Sequence, residues 1–500
     1  MSLAVVLTRA QLGVTAPEVQ VEVHLANGLP AFTIVGLPET AVKESKDRVR
    51  SAIVNSHFEF PQRRITVNLA PADLPKQGGR YDLAIALGIL GASEQIPLTL
   101  LSDYEFVGEL ALTGAIRAIR GTIASAKACN QNNRQLICPK QNQQEAAFCA
   151  PNNSYIANSL LEVAAHLHQR ETLPRPEKLI ALNEPLSYPD LADVKGQLQA
   201  RRALEVAACG GHNLLMFGPP GTGKSMLAAR LGGILPPLEN DDALDVAAIQ
   251  SIIGHCKPNQ WQQRPFRAPH HTASAVALVG GGSHPKPGEI SLAHKGVLFL
   301  DELPEFPRTV LEVLREPLES GHIAISRANA QVEYPAQFQL IAAMNPCPCG
   351  FFGDKSQRCR CSPQQVARYK QKISGPLLDR IDLHVPVTPL PISDLQSKPQ
   401  GEPSHTVRAR VIACRKIQND RQGSPNSQLK GMELHDYCAL SKEGERLLER
   451  AVEQLNMSAR GYDRILRVAR TLADMAQSAH VDINHISEAL AYRGLDRGNS

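Results

Sequence analysis

Long apolar runs are missing from this chain of 500 residues. None approaches the roughly eighteen consecutive apolar residues that a membrane-spanning helix requires. The N-terminus also lacks a basic region followed by an apolar run and a small-residue cleavage site, so no secretory leader is read there. The expected compartment is the cytoplasm, with no membrane partner. Charge of one sign is scarce too: 53 Lys and Arg face 49 Asp and Glu, a formal net of +4. Bulk electrostatics therefore do not announce a nucleic-acid binder, and any such contact must be local. Aromatics are only 4% of the chain, with a single Trp, which argues against recognition dominated by base stacking. No internal repeat and no low-complexity tract is present.

The chain is rich in phosphate-loop chemistry. Gly218-Pro219-Pro220-Gly221-Thr222-Gly223-Lys224-Ser225 fits the pattern GxxxxGK[ST], between the apolar Leu214 to Phe217 and the helical Met226 to Ala229. Glycines let backbone N–H groups converge on a phosphate at a helix N-terminus. Lys224 then reaches the β/γ oxygens of ATP, and the Ser225 hydroxyl ligates Mg²⁺. Val297-Leu298-Phe299-Leu300 reads as a buried parallel strand ending in Asp301 and Glu302, with Asp301 77 residues after Lys224. Asp301 is placed to hold Mg²⁺ and Glu302 to polarise the attacking water. Leu340 to Met344 is a further buried strand, with Asn345 at its carboxyl end. An amide there orients water and senses the γ-phosphate, or else caps the turn before Pro346.

Length calls for several domains. Residues 1–172 mix alternating strands (Val19 to Val23, Ile65 to Asn68) with helical stretches (Thr40 to Val54, Tyr81 to Leu90), an α+β pattern. Residues 173–190 carry Pro174, Pro176, Pro185 and Pro189 and read as a linker. Residues 191–400 alternate strand and helix around the nucleotide motifs, as a doubly wound α/β core does. From 401 to 500 helices dominate, notably Lys442 to Leu455, Ala459 to Met475 and Ile483 to Tyr492.

Two further features lie in the core. Ile323 to Tyr334 alternates at period two around a small-residue tip and reads as a β-hairpin. Arg327 near its tip is a candidate DNA contact or a plain solvated residue, and Arg267 and Lys286 are further candidates. Within residues 345–362, Cys347-x-Cys349 and Cys359-x-Cys361 offer four thiolates for a tetrahedral, structural Zn²⁺, or remain reduced thiols in a tight loop. Arg358, Arg360 and Lys355 make that loop basic. The other seven of the 11 cysteines are scattered, as free thiols in a reducing compartment are.

Taken with Asn68 to Lys76, Arg267-Ala268-Pro269-His270-His271, Asn345-Pro346-Cys347-Pro348-Cys349-Gly350 and Ser374 to Asp382, these motifs resemble AAA+ ATPases of the magnesium-chelatase-like branch, in the ComM/YifB group. The resemblance covers nearly the whole chain. It implies an α/β fold: an AAA+ P-loop ATPase core with a helical lid, preceded by an α+β Lon-protease-like N-terminal domain. It makes Asn345 sensor 1, Arg380 an arginine finger acting on a neighbouring subunit, and Arg460 sensor 2 on the lid. Arg380 has a plainer alternative in pairing with Asp379 or Asp382. Part of the segment from Arg264 to Lys286, with Gly280 to Gly282 as a hinge, becomes a pore-facing insertion. Arg80 stands where the Lon-type serine belongs and Ile123 near the lysine position, so no acyl-enzyme route is expected.

What the resemblance implies is a homohexameric ring, driven by ATP and Mg²⁺, that moves on single- and double-stranded DNA. Its task is branch migration in recombination, including that of transforming DNA in natural competence, with recombination proteins as further partners. The rivals are a chelatase-like AAA+ ATPase that remodels a protein partner, and an ATP-dependent protease or chaperone. The latter needs a serine–lysine dyad or an aromatic pore loop, and neither is found.

Overall fold

The computed structural model describes residues 3–177, 188–256, 260–282, 285–327, 330–353, 358–391, 401–454 and 457–493; the side chains of Thr40, Ala41, Ser326, Arg327 and Ala330 lie outside that description. Pro185 and Lys355, named above, also fall outside it.

Alternating apolar residues build the first sheet. Its strands are β1 (Leu3–Arg9), β2 (Glu18–Ala26), β3 (Ala31–Val35), β4 (Arg64–Ala70), β5 (Tyr104–Phe106), β8 (Gln135–Pro139) and β9 (Ser154–Ala157), in the order β3-β4-β2-β1-β5-β8-β9. A small ribbon, β6 (Glu109–Leu110) with β7 (Ile116–Arg117), stands apart. In β2, Val19, Val21, Val23 and Leu25 all point into the core, the period of two that a half-buried strand demands. The Asp82–Ala92 helix is buried along its whole length, which its unbroken run of Leu, Ile, Ala and Gly allows.

One ion pair anchors this layer. Arg9 donates to both carboxylate oxygens of Glu105 at 2.6 Å, and Arg134 adds a bond to Glu105 at 3.2 Å. Glu105 is fully buried and Arg9 nearly so. Glu105→Ala is expected to destabilise this layer by about 3–5 kcal/mol, because it strands a buried guanidinium. Urea unfolding followed by circular dichroism reads this, and an unchanged midpoint refutes it.

The second sheet is all parallel: β11 (Phe266–Arg267), β14 (Val297–Leu300), β17 (Gln339–Met344), β10 (Leu214–Phe217) and β18 (Leu383–Pro386), adjacent in that order. Every residue of β14 and β17 is buried, as expected of strands covered on both faces. β10 lies between β17 and β18, so the chain switches direction across the sheet beside it, and the crevice at the carboxyl ends opens there. Two antiparallel ribbons flank this sheet: β12 (Gly280–Gly281) with β13 (Lys286–Pro287), and β15 (His322–Arg327) with β16 (Ala330–Pro335).

The residues after 401 are helical among those described, chiefly Ser404–Gln422, Lys442–Gln454, Ala459–Met475 and Ile483–Ala491. Their apolar faces join the core of the parallel sheet through Val407, Val411, Ile465, Val468 and Leu472. The first layer meets the second through the Asn240–Ile253 helix. There Phe148 stacks on Trp261 at 4.4 Å, Ser251 donates to Glu145 at 2.7 Å, and Lys127 pairs with Asp245 at 3.2 Å. Leu12 and Val14, in the turn between β1 and β2, pack on the cluster that contains Val332 and Tyr334 of β16. No helix of the described residues is long and apolar enough to cross a membrane.

Candidate nucleotide site

The loop from Gly218 to Gly223 joins β10 to the Lys224–Ile234 helix. Gly221 and Gly223 take φ of +76° and +91°, left-handed values that L side chains resist, and the loop closes beneath the helix N-terminus. Lys224 curls back over it: Nζ donates to Gly218 O at 2.7 Å, to Pro219 O at 2.9 Å and to Asn345 Oδ1 at 3.2 Å. Burial pushes this ammonium below its ordinary pKa, while Asp301 and Glu302 pull it the other way. Ser225 Oγ donates to Asp301 Oδ2 at 2.5 Å, so the hydroxyl and carboxylate named from sequence share one point. Oxygen donors of this kind suit a hard divalent cation.

Glu302 follows in a left-handed conformation, φ +53°, and its carboxylate lies 3.1 Å from His271 Nδ1. The sequence reading put His271 in the insertion and missed this contact. Strand register held the signal. Arg267 of β11 lies opposite Leu298 of β14, and four residues on along each chain come His271 and Glu302. The His271 ring packs 4.1 Å from that of His270, whose Nδ1 is 2.9 Å from Thr272 Oγ1.

The remaining candidates are scattered around this centre. Arg380 is turned inward with only 7% of its side chain exposed, donating to Pro376 O at 2.5 Å and paired with Glu319. These partners, rather than Asp379 or Asp382, take its guanidinium, and Arg464 lies 3.4 Å from Asp382. Arg460 opens the Ala459–Met475 helix, 61% exposed, 3.8 Å from the same Glu319. Arg467 donates to Leu429 O at 2.8 Å, so Arg464 and Arg467 serve the packing of this helix. Arg267 gives its guanidinium to Glu289 in a two-pronged bond at 2.6 and 2.7 Å, while Lys286 is exposed on β13. Arg264 is enclosed, bonded to Pro236 O and Lys295 O, which removes it from the exposed part of the insertion. Arg327 ends β15 opposite Ala330. Arg80 is buried and donates to the Arg120 carbonyl, and Ile123 is fully buried against Ala247 and Ala248.

The family described as magnesium chelatase, subunit ChlI, matches residues 190–395. Two companion descriptions, subunit ChlI of Mg-chelatase and the ChlI C-terminal region, match 21–142 and 401–493. The competence protein ComM of Haemophilus influenzae is 51% identical over 99% of this chain and 98% of its own length. The chain belongs to the ComM/YifB family of magnesium-chelatase-like proteins. The uncharacterized protein YifB of Salmonella typhimurium is 52% identical over the same shares of both chains. The magnesium-chelatase 38 kDa subunit of Cereibacter sphaeroides is 25% identical over 31% of this chain and 51% of its own. ComM/YifB membership brings the AAA+ ATPase class and its use of nucleotide and Mg²⁺.

Proposed function

We propose that this protein is an ATP-driven DNA motor that assembles as a homohexamer and promotes branch migration in recombination, including that of transforming DNA. The observation that carries the ATPase part is the convergence of Lys224, Ser225, Asp301 and Asn345 at the carboxyl ends of β10, β14 and β17. Gly218 to Ser225 would hold the phosphates, and Ser225 with Asp301 would hold Mg²⁺. Bound Mg-ATP supplies the activated γ-phosphoryl group. Glu302 accepts a proton from water at its carboxylate, Asn345 orients that water through its amide, and Arg460 contacts phosphate from the helical lid. Arg380 is lent to the neighbouring subunit.

The DNA part leans on the likeness to a competence protein and on the β15–β16 ribbon. A few cations per subunit, repeated around a ring, grip phosphates without a basic chain overall. Arg327 and Lys286 are the residues proposed for this. Arg267, engaged with Glu289, serves to fix the end of β11 instead. The Lon-like first layer acts as a non-proteolytic platform.

Arg327→Ala is expected to keep DNA-free ATP turnover and to lose its stimulation by DNA, together with three-stranded branch migration. Unchanged strand exchange in that variant removes the ribbon from the mechanism. The second reading, a chelatase-like ATPase that remodels a protein partner, draws on the family match itself. It requires turnover indifferent to DNA in the parent protein.

A further inference from the structure

Four sulfurs meet beside the nucleotide loop. Sγ of Cys347 lies 3.3 Å from that of Cys349 and 3.8 Å from that of Cys359, and Cys349 is 3.6 Å from Cys359. With Cys361 included, all four fall within 4.8 Å of one another. A tetrahedron of sulfurs around zinc at about 2.3 Å has edges of about 3.8 Å, so the cluster already has nearly the dimensions of a Cys₄ site. Backbone amides surround it: those of Phe351 and Arg360 face Cys349, that of Cys361 faces Cys359, and that of Cys349 faces Cys361. Such N–H groups stabilise thiolates and fix ligand orientation. Arg358 lies over the Phe351 ring at 4.3 Å.

The cluster touches the ATP site at three points. Cys347, fully buried, follows Asn345 by two residues, and Asn345 is bonded to Lys224. Gly350, at φ +85°, lies so close to the phosphate loop that a Cβ would stand 2.7 Å from Pro220 Cδ. Cys361 leads into the Pro363–Lys370 helix, whose start is fixed by a capping box at Ser362. That helix returns Tyr369, nearly fully buried, to the Asn345 backbone amide.

We propose that Cys347, Cys349, Cys359 and Cys361 bind Zn²⁺ and that this metal buttresses the nucleotide site, holding Gly350 against Pro220 and Asn345 against Lys224. The coupling rests on the assignment of that site to ATP. Zinc takes no part in hydrolysis; it stiffens the wall on which the loop and the amide rest. Metal loss therefore weakens nucleotide binding.

The full chain, purified without chelator, is expected to carry about one zinc per chain by elemental analysis. Cys359→Ser and Cys361→Ser lose the metal and bind a fluorescent ADP analogue about tenfold more weakly, the coupling usual for packed neighbours. Gly350→Ala keeps the zinc and shows a similar loss of affinity, because its methyl group displaces Pro220. Chelation of the parent followed by return of zinc reproduces the loss and its recovery without any substitution, which covers cysteine variants that fail to fold. Parent protein free of zinc, or carrying iron in its place, overturns the metal assignment. Zinc present with nucleotide affinity unchanged after its removal overturns the buttress. Lys224→Ala serves as the control: if it binds the analogue as the parent does, the ATP assignment falls, and the zinc content still stands as its own result.

Discussion

Glu302→Gln is expected to leave ATP bound and to slow its hydrolysis about 10²- to 10⁴-fold, the range that a positioned general base contributes. The substitution keeps the side chain's length and shape and removes only its charge and basicity. Glu302 sits two residues beyond the buried β14, so the backbone that aims it is set by a rigid strand. Asp301 cannot substitute, because one of its oxygens receives Ser225 Oγ and the other the Glu302 N–H at 2.9 Å. Asp301→Asn is expected to fail differently, with weakened Mg²⁺-dependent nucleotide binding. Single-turnover hydrolysis beside equilibrium binding of labelled ATP separates the two. A Gln variant that hydrolyses ATP within about tenfold of the parent gives the role of base to another group.

Arg380→Ala is expected to bind ATP normally and to lose about 10³-fold or more in turnover, the usual contribution of an arginine finger. The same variant mixed with Lys224→Ala subunits regains activity, though neither hydrolyses ATP alone. At a mixed boundary, the intact pocket of one subunit meets the intact Arg380 of the next. A structural role offers no such rescue, so the mixing experiment distinguishes the two. Glu319 makes the expectation demanding: it holds Arg380 within its own chain and also lies 3.8 Å from Arg460. Were the proposed ring to form, it would have to open the Arg380 pair, and Arg380 Nε, which has no partner within the chain, would be one donor already uncommitted. Failure of the mixed sample to exceed its components refutes action in trans.

Where chemistry depends on near neighbours in the chain, the sequence was enough. The phosphate loop, the β14 carboxylates and the β15–β16 ribbon each follow from a local pattern. The helices at Ala459–Met475 and Ile483–Ala491 follow their apolar stripes closely. The expected helix from Thr40 to Val54 is instead two, Thr40–Lys43 and Ser45–Asn55, with Glu44 between them. Contacts between distant segments were the opaque part. Nothing local marks Glu319 as the partner of Arg380, 61 positions away, or Glu289 as the partner of Arg267. Charge complementarity is abundant in a chain with 53 basic and 49 acidic residues, so it picks no pair by itself. His271 and Glu302 became neighbours only once β11 and β14 were known to lie side by side.

Among the described residues the first layer reaches the ATPase core through the Phe148–Trp261 stack against the Asn240–Ile253 helix and through the Leu12–Val14 turn against β16. Both attachments sit on the side of the core that carries the ribbons rather than on the nucleotide loop. If the ribbon acts on DNA as proposed, its displacement must either drag the N-terminal sheet along or slide beneath the β1–β2 turn. In the first case the sheet would add viscous drag to the movement and transmit it outward. In the second it works as a bearing surface, and smoothing the turn with Leu12→Ala would loosen the grip without touching a single catalytic group.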